Sequence, residues 1–281
     1  MCNLYLGAIF FMSFFKKILA SFENSFITAN SIIQQAVLFP GKDINIKINI
    51  HGKHKKQIIS NINLKLYCHY FEKKHTQKDN FFYKKHFIKI SRSHTLSNWN
   101  LAFPFNIKSG EIRDFNISMN VPWNTPITIN NTKVWLETKI HTSMSINSIS
   151  NKELLTVRPD ALMDQIFTVL EEQGLRIRHV KCETIEGFIS PFIQKFEFVP
   201  TMGPYHGYWR EIEIITHRSN NFLKLWFEIN RNQTKNSKET LGKLLSIGKL
   251  KYQLEISTET CIQEVRNIVL NYINSTLWRK K

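Results

Sequence analysis

Ile44, Ile46, Ile48 and Ile50 alternate with Asp43, Asn45, Lys47 and Asn49 in the run FPGKDINIKINIHG. Successive side chains of a strand point to opposite faces, so this period of two puts every isoleucine on one side and every polar residue on the other. The run therefore predicts a strand with one face in a core and the other in water. Pro40-Gly41 ahead of it suits a tight turn. Similar runs follow around residues 62–70, 81–91, 105–107, 115–121 and 133–141, most of them separated by Asn, Ser, Gly or Pro. No long amphipathic helix interrupts them, and short strands at this spacing predict a β-sandwich.

The pattern changes at RPDALMDQIFTVLEEQGL. Asp160 can cap a helix start just after Pro159. Met163, Phe167 and Leu170 fall on one helical face, and Gly174 suits the position past the end. Strands are expected at IRHVKCE and IQKFEFVP, and a hairpin at IEIITH and FLKLWFEIN around Arg218-Ser219-Asn220-Asn221. A shorter helix around Leu241, Leu244 and Leu245 is expected next, followed by alternating Tyr252, Leu254 and Ile256. A last helix carries Ile262, Val265, Val269 and Tyr272 on one stripe, with Ser257 or Thr258 as its cap and Glu259 in its first turn. The expected fold is mainly β: a sandwich over residues 12–157, then a smaller α+β domain over 158–281. Residues 1–11 read as an extension ahead of a start at Met12.

Charge is uneven along the chain. The formal net charge is +16, and residues 1–150 hold 19 Lys and Arg against 7 Asp and Glu. Lysines pair up in this half as Lys55-Lys56, Lys73-Lys74 and Lys84-Lys85, with Lys53 close to the first pair. A basic surface attracts phosphate, so these seven form a candidate anion-facing patch, with peripheral membrane contact as one use. Lys outnumbers Arg, the better fork for phosphate and guanine, which disfavours specific nucleic-acid binding. Lysine also commonly protects strand edges.

Catalytic motifs are missing. The chain has ten glycines and neither GxGxxG nor GxxxxGK[ST], and neither GxSxG nor HExxH occurs. No cofactor is expected. His51 and His54 form an HxxH pair, but Lys53, Lys55 and Lys56 oppose a cation there. Cys68 and His69 are neighbours on a strand and face opposite ways, so Cys68 reads as a small core residue. Glu211, Glu213, Lys224 and Glu228 read as the outer face of sheet strands. The four cysteines lie far apart and fit a reducing compartment. The turn TMGPYHGYW concentrates Tyr205, His206, Tyr208 and Trp209 between two strands.

Five segments carry a resemblance to a known family: MSFFKKILASF, FPGKDINIKINIHG, PWNTPITINNTKVWLETKI, PDALMDQIFTVLEEQGLRIRHVKCE and PFIQKFEFVPTMGPYHGYWREIEI with FLKLWFEINRN after it. In this order and spacing the chain resembles the bacterial sporulation-control proteins of the stage-zero M type. The resemblance implies an arrestin-like sandwich as the first domain. It also implies a cytoplasmic, non-enzymatic regulator that works through unidentified protein partners, with links to sporulation, cell division and the cytoskeleton. Pro126, Thr128, Lys133, Trp135, Phe196, Phe198, Pro200 and Gly203 are the signature positions it implies, with structural roles. Members of that family are acid-rich where this chain is basic. They carry an Asp-Glu pair where this chain has Arg210-Glu211 and an Asp-Arg pair where it has Asn230-Arg231.

Overall fold

Strand β3 (Asp43–Gly52) confirms the opening alternation, with Ile44, Ile46, Ile48 and Ile50 each at most 1 % exposed. The computed structural model describes residues 18–24, 26–75, 87–101, 103–143, 148–185, 190–231 and 252–277. Met12, Lys84, Lys85, the aromatics at 81–83 and the expected helix at 241–245 lie outside them. β3 is flanked by β2 (Ile27–Ile33) and β7 (Ile112–Asn120), and β1 (Ile18–Glu23) completes an antiparallel sheet in the order β1-β2-β3-β7.

The opposing sheet is built on β4 (Gln57–His75), a strand of 19 residues. One edge of β4 takes β5 (Phe87–Leu101) and then β6 (Phe105–Ile107). Its other edge takes β8 (Val134–Thr142), which in turn pairs with β9 (Ile149–Leu155). Ile59, Ile62, Leu64, Leu66 and Cys68 of β4 are fully buried in one core with the β3 isoleucines. Burial pushes the Cys68 thiol well above its ordinary range.

The sheet continues past the sandwich. Beyond β8, the same edge of β4 meets β10 (Leu175–Glu183) in parallel, through Phe71 opposite Glu183. From there β11 (Ile193–Pro200), β12 (Trp209–Arg218), β13 (Phe222–Arg231) and β14 (Tyr252–Ser257) follow as an antiparallel meander. Helices α1 (Ala161–Glu172) and α2 (Ile262–Tyr272), the latter running into a π turn at Ile273–Leu277, share a second core with this meander. Phe167 of α1 packs between Phe196 and Phe198 at 4.9 and 5.9 Å. The described fold is thus a β-sandwich followed by an α+β unit, with one sheet running through both.

Asp160 caps α1 by accepting from Met163 N at 2.9 Å, as its position before the apolar stripe predicts. The cap expected for α2 is different. Ser257 is used in the ladder opposite Phe222, and Thr258 donates to Asn220 O at 3.0 Å. The helix starts after Cys261 instead, with no side-chain cap, and the acid in its first turn is Glu264 rather than Glu259. On the expected stripe Val265 and Val269 are buried, whereas Ile262 is 40 % exposed.

Glu153 stands on the inward face of β9 with Ile149 and Leu155, and neither of its carboxylate oxygens has a hydrogen-bond partner among the described residues. Burial alone pushes its carboxyl from 4.5 up to about 7. The folded state therefore binds this proton more tightly than the unfolded chain does. Its stabilising effect is complete below pH 4.5 and is lost as pH rises through 7. Glu153→Gln removes the titration. Thermal unfolding at pH 8 is expected to show the variant more stable than the wild type by about 2–3 kcal/mol, with the two converging near pH 4.5. Parallel curves across that window would show that Glu153 does not carry the shift.

Candidate functional site

The segment Thr125–Thr128 runs between the sandwich and the α+β unit and is held from both sides. The Gln194 side chain of β11 accepts from Ile127 N at 2.9 Å and donates to Ile127 O at 2.7 Å. A primary amide matches a peptide group on both counts, so this clamp works like one rung of a sheet. On the other side Thr128 N donates to Val157 O at 3.0 Å, and the Thr128 hydroxyl accepts from Val157 N at 2.9 Å. Leu38 bridges Val157 in parallel and receives the N–H of Arg158.

A second line of contacts crosses the same seam. Gly41, at φ +77°, lies flat against the Trp123 indole; a Cβ there would sit 2.2 Å from the ring. The Arg218 guanidinium lies over the Trp123 ring, 4.3 Å from its centroid. Its Nε donates to Asp160 at 2.6 Å, so one carboxylate caps α1 and anchors Arg218. Pro40, Trp123, Pro126, Asp160, Phe192 and Arg218 help line a crevice of about 50 Å³ at this point. Its charged groups already satisfy each other, so the arrangement fits a joint better than a reaction centre.

The face of the meander away from the helices is charged. Glu197, Glu213 and Glu228 stand directly opposite one another on β11, β12 and β13. Like charges so placed repel. Cations are set between them. Arg178 reaches both Glu197 and Glu211, and Lys195 bonds Glu213 at 2.9 Å and lies 3.6 Å from Glu183. Lys73 of β4 pairs with Glu183 at 2.8 Å, which extends the network into the sandwich sheet. Burial pulls the Lys195 ammonium down, but Glu213 and Glu183 outweigh it and hold the group above its ordinary range. Burial and then the neighbouring Glu213 push the Glu228 carboxyl up. The expected solvated outer face is in fact largely covered: Lys195, Glu197 and Glu211 are each below 9 % exposed. Neighbouring rows of long side chains screen each other, which one strand read alone does not reveal.

The aromatic turn divides. Tyr205 and Trp209 are buried and stack at 4.2 Å, and the Tyr205 hydroxyl donates to Asn274 Oδ1 at 3.1 Å. Burial pushes that phenol up to about 12. His206 and Tyr208 are exposed. Gly203, at φ +80°, packs against the Gln173 carbonyl, where a Cβ would come within 2.6 Å. The turn thus locks the β11–β12 loop onto the end of α1 and the start of the π turn.

Three comparisons with known proteins agree on what this architecture is. A family model described as SpoOM protein (Spo0M) matches residues 15–233. The sporulation-control protein Spo0M of Bacillus subtilis (strain 168) is 28 % identical over 222 residues, 78 % of this chain and 81 % of that protein. The crystal structure of Spo0M from Bacillus subtilis superposes with a TM-score of 0.68 at 22 % identity, covering 88 % of this chain and 96 % of that one. The chain belongs to the Spo0M family. Its fold is the arrestin-like fold of that structure.

Within this Spo0M frame the signature positions are spread through joints and core. Pro126 and Thr128 lie in the seam. Lys133 is exposed, and its carbonyl accepts from His69 N at 3.0 Å. Trp135 stacks on Tyr67 at 5.5 Å. Phe196 and Phe198 are in the second core, Pro200 ends β11, and Gly203 holds the turn. Of the seven lysines, Lys84 and Lys85 lie outside the described residues, and the other five do not form one patch. Lys53 is paired to Glu23 at 2.6 Å in the β3–β4 turn, beside exposed Lys55 and Lys56. Lys73, already paired, and Lys74 lie at the far end of β4, about 55 Å away at roughly 3.3 Å per residue. His51 and His54 are exposed, and the His69 ring meets Ser91 Oγ at 2.8 Å on the face opposite Cys68. Gln194 stands in a family segment and Arg218 in the hairpin read from sequence, but their roles at the seam were not foreseen. Nothing local marks them, because their partners lie 67 and 58 residues away.

Gln194→Ala removes both bonds to Ile127 and leaves a buried N–H and C=O unpaired. A loss of about 2–4 kcal/mol is expected in denaturant unfolding, together with faster proteolysis between residues 122 and 132. Gln194→Glu, which can no longer donate, should recover at most part of this. An unchanged midpoint for Gln194→Ala would show that the clamp does not hold the seam.

Proposed function

We propose that this protein is a non-enzymatic, cytoplasmic regulator of the sporulation-control type that acts by binding other proteins. Membership of the Spo0M family supports the regulatory role. In this reading residues 12–157 present the binding surface and residues 158–281 brace it.

The observation that carries the binding mode is the outer edge of β5. This strand of 15 residues pairs with β4 on one side and with no strand on the other among the described residues. Leu96, Trp99 and Leu101 anchor it to the core, while Ser91, Arg92, Ser93 and Thr95 are exposed. An open row of backbone donors and acceptors on a rigid sheet is what strand addition requires. Polar side chains along it keep it from pairing indiscriminately, and neighbouring β4 supplies the rigidity.

A photo-crosslinking residue at position 93 or 95 in the producing cells tests this. One discrete protein adduct is expected, and the purified partner should bind the wild type. Ser93→Lys with Thr95→Lys should weaken that binding by about tenfold or more without changing the unfolding temperature. Adducts spread over abundant proteins, or a captured partner indifferent to the double variant, would remove the reading.

A further inference from the structure

One tip of the sandwich gathers two turns. Asn24, Phe26 and the turns at 53–56 and 108–111 all lie at the same ends of their strands, since Ile27 lies opposite Gly52 and His51 opposite Ile112. They are tied together: Lys53 N donates to Phe26 O, Gly52 N to Glu111 O, and Gly110 N to Gly52 O, all within 2.9 Å. The Ser109 hydroxyl adds a bond to Lys53 O at 2.5 Å. This is a built surface with a defined shape.

Its charges are one-sided. The two acids present, Glu23 and Glu111, are each already paired, with Lys53 and Arg113. That leaves Lys55 and Lys56, exposed and without an ion pair among the described residues, and exposed Lys108, whose backbone N–H donates to Glu111 at 2.7 Å and whose ammonium lies in the field of that carboxylate without a direct ion pair. Exposed apolar groups flank them on both sheets. Ile112 is 66 % exposed on the outer face of β7, and Ile58 is 43 % exposed at the start of β4. Phe103, at 80 %, lies in the short link between β5 and β6, a few positions along the same sheet.

We infer that this tip docks on the surface of an anionic lipid bilayer. Unpaired lysines beside bare Ile and Phe match the two layers of such a surface, phosphate outside and hydrocarbon just beneath. A nucleic acid would engage the lysines but leave Ile112 and Phe103 in water. The contact is peripheral, since no described helix is long and apolar enough to cross a membrane. It is separate from the β5 edge, so it stands or falls independently of the protein-binding reading.

Flotation of the full chain with phosphatidylglycerol–phosphatidylcholine vesicles, against pure phosphatidylcholine, tests the inference. Binding is expected only to the anionic vesicles and should fall as salt rises. Each lysine near an anionic leaflet is worth about fivefold in partitioning, so Lys55→Glu, Lys56→Glu and Lys108→Glu together should lower it by about a hundredfold or more. Phe103→Ser with Ile112→Ser should cost about tenfold and abolish the binding that remains at high salt. Lys74→Glu, at the far end of β4, should change little. All substituted residues are exposed, and equal unfolding temperatures confirm intact folds. The inference is overturned if the triple variant binds like the wild type, or if both vesicle types bind alike. It is also overturned if a DNA duplex competes fully and the Phe103/Ile112 variant is unaffected, which would make the tip a nucleic-acid face.

Discussion

Both halves of the molecule hang on one strand. β4 must satisfy the backbone groups of 19 residues, and it does so with β5 and β6 along one edge and β8, then β10, along the other. An isolated α+β unit would present β10 as an open edge. Here the end of β4 meets that edge at Phe71, and Thr184 N donates to Phe71 O. The sandwich and the meander thereby become one sheet, and the remaining contacts between them refine a junction that backbone pairing has already set.

The refinement is of two kinds. At the seam, the Gln194 amide and the Thr128 hydroxyl replace missing peptide partners for an extended segment that no neighbouring strand can reach. Across the charged face, Lys73 and Lys195 share Glu183, so an ion network runs from β4 through β10 and β11 to β12. Buried pairs of this sort add little net stability but strongly disfavour arrangements that leave one partner bare. They make the positions of four strands, β4, β10, β11 and β12, mutually dependent.

Much of this was legible in the residues. The isoleucine alternation of β3, the capped helix after Pro159 and the hairpin through Asn220-Asn221 are local patterns with local causes, and each is where it was expected. The candidate patch of lysines was not legible. Two pairs that look equivalent in sequence, Lys55-Lys56 and Lys73-Lys74, sit at opposite ends of a long strand, and of these two only Lys55-Lys56 lies beside exposed apolar groups and without an ion pair among the described residues. Ser257 and Thr258 are good capping residues by type, yet α2 starts only after Cys261; the Ser257 hydroxyl accepts from Glu259 N at 3.3 Å, and Thr258 donates to Asn220 O.

The sequence by itself determined what depends on neighbours two to four residues away: strand and helix periodicity, capping of α1, turn glycines, and the core identity of Cys68. Its order of motifs also carried the family. Tertiary structure alone decided which charged residues face water and which are stacked under their neighbours. It also decided that Gln194 and Arg218 are joints and that one tip of the sandwich concentrates unpaired lysines. The reason is physical. A hydrogen bond or ion pair is decided by distance in space, and the partners of Gln194, Arg218 and Lys73 are separated from them by 67, 58 and 110 residues of chain.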